Sequence, residues 1–160
     1  ELGRQVDAQA VARVYEKNLG IGHYFLPGAL EAVQTLQKSY RLFLASNGTA
    51  TVQHSRLTSA GLYPYFEKVF VSQELGYNKP AKEFFRACAA QIPGFDPEKA
   101  LMVGDSLSSD ILGGINAGLS TCWVNPHHKP HPENITPDYQ IEALSQLPEL
   151  LQKINQEDAQ

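Results

Sequence analysis

Apolar positions in this chain follow two alternating patterns, one with helical spacing and one of short unbroken runs. Val11, Val14, Tyr15 and Leu19 share one helical face behind Asp7, which predicts a helix over 7–19 with Asp7 as its N-cap. Pro27–Gly28 interrupts the chain, and Leu30, Val33 and Leu36 then predict a second helix. The run "RLFLASN" (41–47) ends in small polar residues, as a buried strand and its exit loop would. A helix over about 50–60 is stopped at Gly61. "KVFVS" (68–72) predicts a strand, and "KEFFRACAAQI" (82–92) a helix ended by Pro93–Gly94. "ALMVG" (100–104) reads as strand, "SDILGGINAG" (109–118) as helix and "STCWVN" (120–125) as strand. "DYQI" (138–141) predicts a last edge strand before a closing helix at 146–155.

Strands alternating with helices of about ten residues predict βαβ units and a parallel sheet covered on both faces. The expected fold class is therefore α/β, a three-layer α/β/α Rossmann-like core with a mostly parallel sheet. Composition adds exclusions. With 160 residues, 42% hydrophobic and 19% charged, the chain has the make-up of one globular domain. A net charge of −4 argues against a nucleic-acid backbone or an anionic membrane as partner. No apolar run approaches the roughly 18 residues of a membrane span. Cys88 and Cys122 lie in apolar segments without metal-ligand spacing, so they read as buried, reduced thiols and a cytoplasmic location is expected. No G-x-G-x-x-G follows the first strand, which counts against a dinucleotide enzyme.

In an open parallel sheet, ligands bind beyond the carboxyl ends of the strands. One strand end here carries Ser46-Asn47-Gly48, the next leads to Lys79 in "GYNKP", and the third ends in Gly104-Asp105-Ser106 with Asp110 five residues after Asp105. Each has a plain reading: a helix cap, a surface lysine, a turn aspartate and a first-turn helix acid. Each also has a chemical one. The Ser46 hydroxyl with the Asn47 and Gly48 N–H groups suits phosphate oxygens. Lys79 suits a phosphoryl group, and Asp105 with Asp110 are hard oxygen ligands suited to Mg²⁺. The convergence of all of them on one rim favours the phosphate-and-metal reading.

The order S-N-G, then K-P about thirty residues on, then G-D-S-x-x-x-D, resembles motifs two, three and four of the haloacid dehalogenase superfamily. The stretch "DILGGINAGLSTCWVNPHH" is similar in detail to that superfamily's bacterial pyrimidine 5′-nucleotidases. The resemblance implies a HAD-like core and a Mg²⁺-dependent phosphomonoesterase acting on a small-molecule phosphate ester, a nucleoside 5′-monophosphate. It implies that Ser46, with Asn47 and Gly48, binds the phosphate and that Lys79 holds the phosphoryl group and the nucleophile. Asp105 would ligate Mg²⁺, and Asp110 would support the metal through water or hydrogen bonds.

The resemblance also implies parts that these residues do not supply. The family's nucleophile sits in a D-x-D motif after an N-terminal strand, and none of Asp7, Asp96, Asp105, Asp110, Asp138 and Asp158 is so spaced. The expectation is a piece of a longer protein. Residues 1–26 would be the C-terminal part of a helical cap, and 27–160 the core lacking its first strand. That strand would lie between the one ending at Ser46 and the one ending at Gly104, so the 160 residues alone are expected to be inactive and to leave a central slot to be filled. A dehalogenase of the same superfamily, or a phosphate-binding module without turnover, are the alternatives. The dehalogenase does not need Mg²⁺, and its fourth motif usually lacks the carboxylate pair. His127, His128 and His131 share a Pro-rich loop and read as a solvated rim, Gly20 and Gly22 as a connection from cap to core, and Tyr63, Tyr65 and Phe66 as packing at the core edge.

Overall fold

Local signals account for most element ends. In the computed structural model, which describes residues 7–21 and 24–157, Asp7 caps α1 (Ala8–Leu19) by accepting from the N–H groups of Gln9 and Ala10 at 2.9 and 3.1 Å. Then follow α2 (Ala29–Leu36), β1 (Phe43–Ser46), α3 (Ala50–Ser59), β2 (Lys68–Val71) and a short α4 (Ser72–Leu75). After them come α5 (Lys82–Ala89), β3 (Leu101–Gly104), α6 (Leu112–Ala117), β4 (Ser120–Val124), β5 (Tyr139–Ile141) and α7 (Leu147–Glu157). The chain leaves α3 through Gly61 at φ +64, a left-handed position that glycine adopts without a Cβ penalty. Gly22 and Asp158 lie outside the described residues.

All strand pairing is parallel, but the strands form two sheets rather than one. β1 pairs with β2, Phe43 against Lys68 through Ser46 against Val71. β3 pairs with β4 from Leu101 against Ser120 to Gly104 against Trp123, and β4 pairs with β5 from Cys122 against Tyr139 to Val124 against Ile141. Among the described residues no ladder joins β1 to β3. The two strands instead face a cavity of about 490 Å³ lined by Phe43, Ala45, Phe70, Phe85 and Met102. β1 and β3 are consequently half-buried along their whole length, whereas Thr121 to Val124 of β4 are buried. In parallel sheets it is the inner strands that are usually most enclosed.

The two-residue period of each strand still sorts side chains into two helical layers. Leu42, Leu101 and Val103 join Leu36, Cys122, Ile141 and Leu147 in the layer of α2 and α7. Phe43, Ala45 and Met102 join Phe70, Phe84, Phe85 and Cys88 in the layer of α5. The α5-side cluster draws on both sheets, through Phe43, Ala45 and Phe70 on one and Met102 on the other, so packing joins the sheets although no ladder does among the described residues. The architecture is the three-layer Rossmann-like one.

One predicted stripe is bare, and one expectation needs correcting. Among the described residues nothing buries the apolar stripe of α1: the helix has no buried residue, and Val14 and Tyr15 are 59% and 63% exposed. Just past its C-terminal end, the Ser55 hydroxyl of α3 donates to the Gly20 carbonyl at 2.8 Å. Tyr63 is no core-edge filler either. It is exposed, and its hydroxyl meets Nδ1 of His54, whose Nε2 lies 2.9 Å from Glu74. Tyr65 instead accepts from Gln34 at 2.9 Å.

Cys88 and Cys122 are both buried, and burial pushes their thiols up to about 12 and about 11, with nearby Lys79 pulling Cys88 back slightly. Raised values favour the neutral thiol in the folded state. The corresponding stability is fully present below the ordinary thiol value of 9.0 and is lost as pH rises through those values. At about pH 8 neither thiol should react with an aromatic disulfide reagent in the native protein, and both should react in guanidinium chloride. Fast labelling of a protein that keeps its native circular dichroism would refute this packing.

Candidate active site

β1 and β3 deliver their C-terminal residues to the same rim, where Lys79 Nζ reaches both the Ala45 carbonyl of β1 and Asp110 just beyond β3. β1 ends at Ser46, and the chain turns through Asn47 and Gly48 into α3. Ser46 is not the cap of that helix; Thr49 holds the cap position and makes no side-chain cap bond. The caps come from α4, which sequence reading did not foresee. Gln73 accepts the Ala50 N–H at 2.7 Å, and Ser72, buried at 4% exposure, accepts the Gly48 N–H at 3.0 Å. The Gly48 N–H is thus spent inside the protein. Among the described residues the Ser46 hydroxyl has only a long contact, 3.3 Å to the Asn47 carbonyl.

The Asn47 side chain has a task that the sequence reading, which used its backbone N–H, did not foresee. Its Nδ2 donates to the Lys79 carbonyl at 3.0 Å and its Oδ1 accepts the Lys79 N–H at 2.8 Å. This two-bond clamp fixes the Lys79 backbone beside a cis Lys79–Pro80 peptide. Lys79 then reaches inward. Only 8% exposed, it donates from Nζ to the Ala45 carbonyl at 2.7 Å and to Asp110 Oδ1 at 2.6 Å. An ammonium has three protons, so these two bonds leave one for a ligand at the rim.

Asp110 is placed by an unusual local turn. Leu107–Ile111 is wound as a π-helix, with the Asp110 and Ile111 N–H groups both donating to the Ser106 carbonyl at 2.9 and 3.1 Å. The carboxylate folds back over the end of β3, where Oδ2 accepts the Ser106 N–H at 3.1 Å. Gly104 makes room for it: a Cβ there would stand 2.3 Å from Asp110 Oδ2. Asp105, the next residue, is exposed at the rim and is held by its backbone, its carbonyl accepting from Trp123 Nε1 at 3.0 Å.

The structure therefore brings Lys79 and Asp110 into direct contact, ties Asn47 to Lys79 and sets Ser46 one residue beyond the Ala45 carbonyl that Lys79 grips. Among the described residues no three His, Cys, Asp or Glu side chains gather as a metal cage. Two carboxylates, one exposed and one already hydrogen-bonded at both oxygens, fit Mg²⁺, which keeps several waters and needs few protein ligands. They do not fit a closed structural zinc centre. His127, His128 and His131 are exposed, and His131 packs edge-on against Trp123, whose Nε1 holds the Asp105 carbonyl.

A fold with parallel strands delivering a hydroxyl loop, a buried lysine and two aspartates to one rim belongs to a known class. Residues 2–118 match the model of the haloacid dehalogenase-like hydrolases, and the chain belongs to that family. It is 39% identical over 152 residues to pyrimidine 5′-nucleotidase PynA of Streptococcus pneumoniae, covering 94% of this chain and 64% of that protein. It is 41% identical over 128 residues to pyrimidine 5′-nucleotidase YjjG of Escherichia coli, covering 80% of this chain and 57% of that one. The crystal structure of the HAD-hydrolase YfnB of Bacillus subtilis, determined with bound magnesium, superposes with a TM-score of 0.89 at 40% identity, covering 93% of this chain and 65% of that one. The chain thus spans less than two thirds of the length of these relatives.

Gly104 carries a prediction because no flexible tip separates its space from Asp110. Gly104→Ala should displace the carboxylate, strip Lys79 of its counter-ion and destabilise the protein by about 1–3 kcal/mol. Denaturant unfolding measures it; an unchanged midpoint would show that Asp110 does not sit on Gly104.

Proposed function

We propose that the protein is a Mg²⁺-dependent phosphomonoester hydrolase acting on nucleoside 5′-monophosphates, with pyrimidines preferred. The observation that carries this reading is the buried Lys79, anchored on Ala45 and Asp110 with one proton left toward the rim that bears Ser46 and Asp105. A cation fixed in that way neutralises charge on a transferring phosphoryl group without having to be reorganised. The likeness to two pyrimidine 5′-nucleotidases supports the substrate class.

In this mechanism the Ser46 hydroxyl and the Asn47 N–H bind phosphoryl oxygens, while the Asn47 side chain keeps Lys79 in place. Asp105 holds Mg²⁺, which when bound offsets phosphoryl charge; Asp110 supports it while orienting Lys79. The nucleophile is an aspartate outside these residues, on a strand that fills the space between β1 and β3. Its carboxylate attacks phosphorus, the bond from phosphorus to the alcohol oxygen breaks, and a second aspartate of the same D-x-D strand protonates that oxygen. Water then cleaves the acyl phosphate and releases inorganic phosphate. In this reading residues 1–26 end a helical cap, and the exposed stripe of α1 faces the rest of it. The carboxylate pair after β3 favours a phosphatase over a dehalogenase, which has no need of it.

Two measurements test this in a protein extended to the length of its relatives. Asp105→Asn should lower Mg²⁺-dependent phosphatase turnover by about a hundredfold or more while leaving the melting temperature nearly unchanged. Near-normal turnover at ordinary Mg²⁺ would remove Asp105 from the site. Across a panel of phosphate esters, uridine, cytidine and thymidine 5′-monophosphates should rank ahead of phosphoglycolate and the hexose phosphates; a sugar phosphate in first place would overturn the substrate assignment.

A further inference from the structure

Beside Ser46 lies a cleft of about 330 Å³ to which the mechanism assigns nothing. Leu44 and Ser46 of β1 line it, with Tyr24 from the connection before α2 and Gln53, Arg56 and Leu57 of α3. The three α3 residues stand at i, i+3 and i+4, so one stripe of the helix forms a wall of the cleft. Gln53 opens that stripe on the turn nearest the phosphate loop. Its Nε2 lies 2.9 Å from where a Cβ of Gly48 would be, so the carboxamide rests directly against the loop. Gly48, at φ +146, leaves that space open. The backbone of Gln53 is fixed by its N–H bond to the Thr49 carbonyl at 3.1 Å. The side chain is half-buried, yet no hydrogen bond joins its carboxamide to another described residue.

Ordering a glutamine side chain costs rotamer entropy, and half-burying an unbonded amide costs some of its hydration. Both costs fall away when a ligand supplies the missing partner. Position says which part of a ligand that is. A phosphate ester bound at Ser46 extends its alcohol portion into the cleft, and a group resting on Gly48 meets the atoms closest to phosphorus. In a nucleoside 5′-monophosphate those atoms belong to the sugar, whose hydroxyls both donate and accept, as a carboxamide does.

We propose that Gln53 is a specificity residue that hydrogen-bonds the sugar hydroxyls of the phosphate ester's leaving group. This rests on the phosphatase reading above. The contact of Gln53 with the Gly48 loop lies within the continuous segment from Ser46 to Leu57 and does not depend on what fills the space between β1 and β3.

The test compares uridine 5′-monophosphate with p-nitrophenyl phosphate, whose leaving group carries no sugar, in the protein extended to its relatives' length. In Gln53→Leu the ratio of kcat/KM for the nucleotide to that for the aryl ester should fall about five- to tenfold, mostly through KM, the loss expected for one or two neutral hydrogen bonds. Gln53→Glu, nearly isosteric, loses the amide donor and should lower the same ratio, which answers the case in which the leucine variant does not fold. A ratio within about twofold of wild type in a folded variant overturns the proposal, and so does an equal loss on both esters, which would make Gln53 a support for the Gly48 loop alone. A wild-type protein that hydrolyses neither ester with Mg²⁺ sinks the phosphatase reading itself. A wild type active on both, with a Gln53 variant whose ratio is unchanged, sinks only the role of Gln53.

Discussion

A buried ammonium holds the rim of this protein together. Lys79 reaches from the segment before α5 to the Ala45 carbonyl at the end of β1 and to the Asp110 carboxylate beyond β3, so one side chain spans two sheets that share no ladder among the described residues. Taking both charges out of water costs several kcal/mol per ion, and such a pair holds only when its geometry is good and its remaining valences are met. That requirement reaches outward. It fixes the Asn47 clamp on the Lys79 backbone, the Ser106 N–H on the second Asp110 oxygen and the absence of a side chain at Gly104.

The same requirement explains the packing of α6. The Asp110 turn runs straight into this helix, which must lie close to β3 and β4 for the carboxylate to reach back. Gly113 and Gly114 allow it: a Cβ at Gly113 would meet the Phe85 ring at 2.6 Å, and one at Gly114 would meet Thr121 at 2.8 Å and Met102 at 3.0 Å. Close packing of α6 and the buried ion pair are thus one constraint seen from two sides, hydrophobic at the sheet and electrostatic at the rim.

Donors at the rim are divided between those bound within the protein and those left open. The loop after β1 gives its Gly48 N–H to Ser72, and the first turn of α3 gives its Ala50 N–H to Gln73, which stiffens the loop. Left open are the Ser46 hydroxyl and the third proton of Lys79, with the exposed Asp105 carboxylate as an acceptor after β3. A loop that spends some donors on its own scaffold keeps the others aimed, and aimed dipoles stabilise a charge without having to reorganise.

The sequence alone determined those features that depend on neighbours within a turn or on the period of one element. The Asp7 cap, the stop at Gly61, five strands from short apolar runs and the small-polar ends of β1 and β3 are all of this kind. Only the tertiary structure decided features that need a partner far along the chain. Asn47 faces Lys79 across 32 residues, Ser72 faces Gly48 across 24, and Lys79 faces Asp110 across 31. No local pattern marks such pairs, because each residue type is common on surfaces and acquires its role only when folding removes water from around it. The bare stripe of α1 makes the converse point. Periodicity marks a face that can be buried, while burial itself depends on what lies opposite.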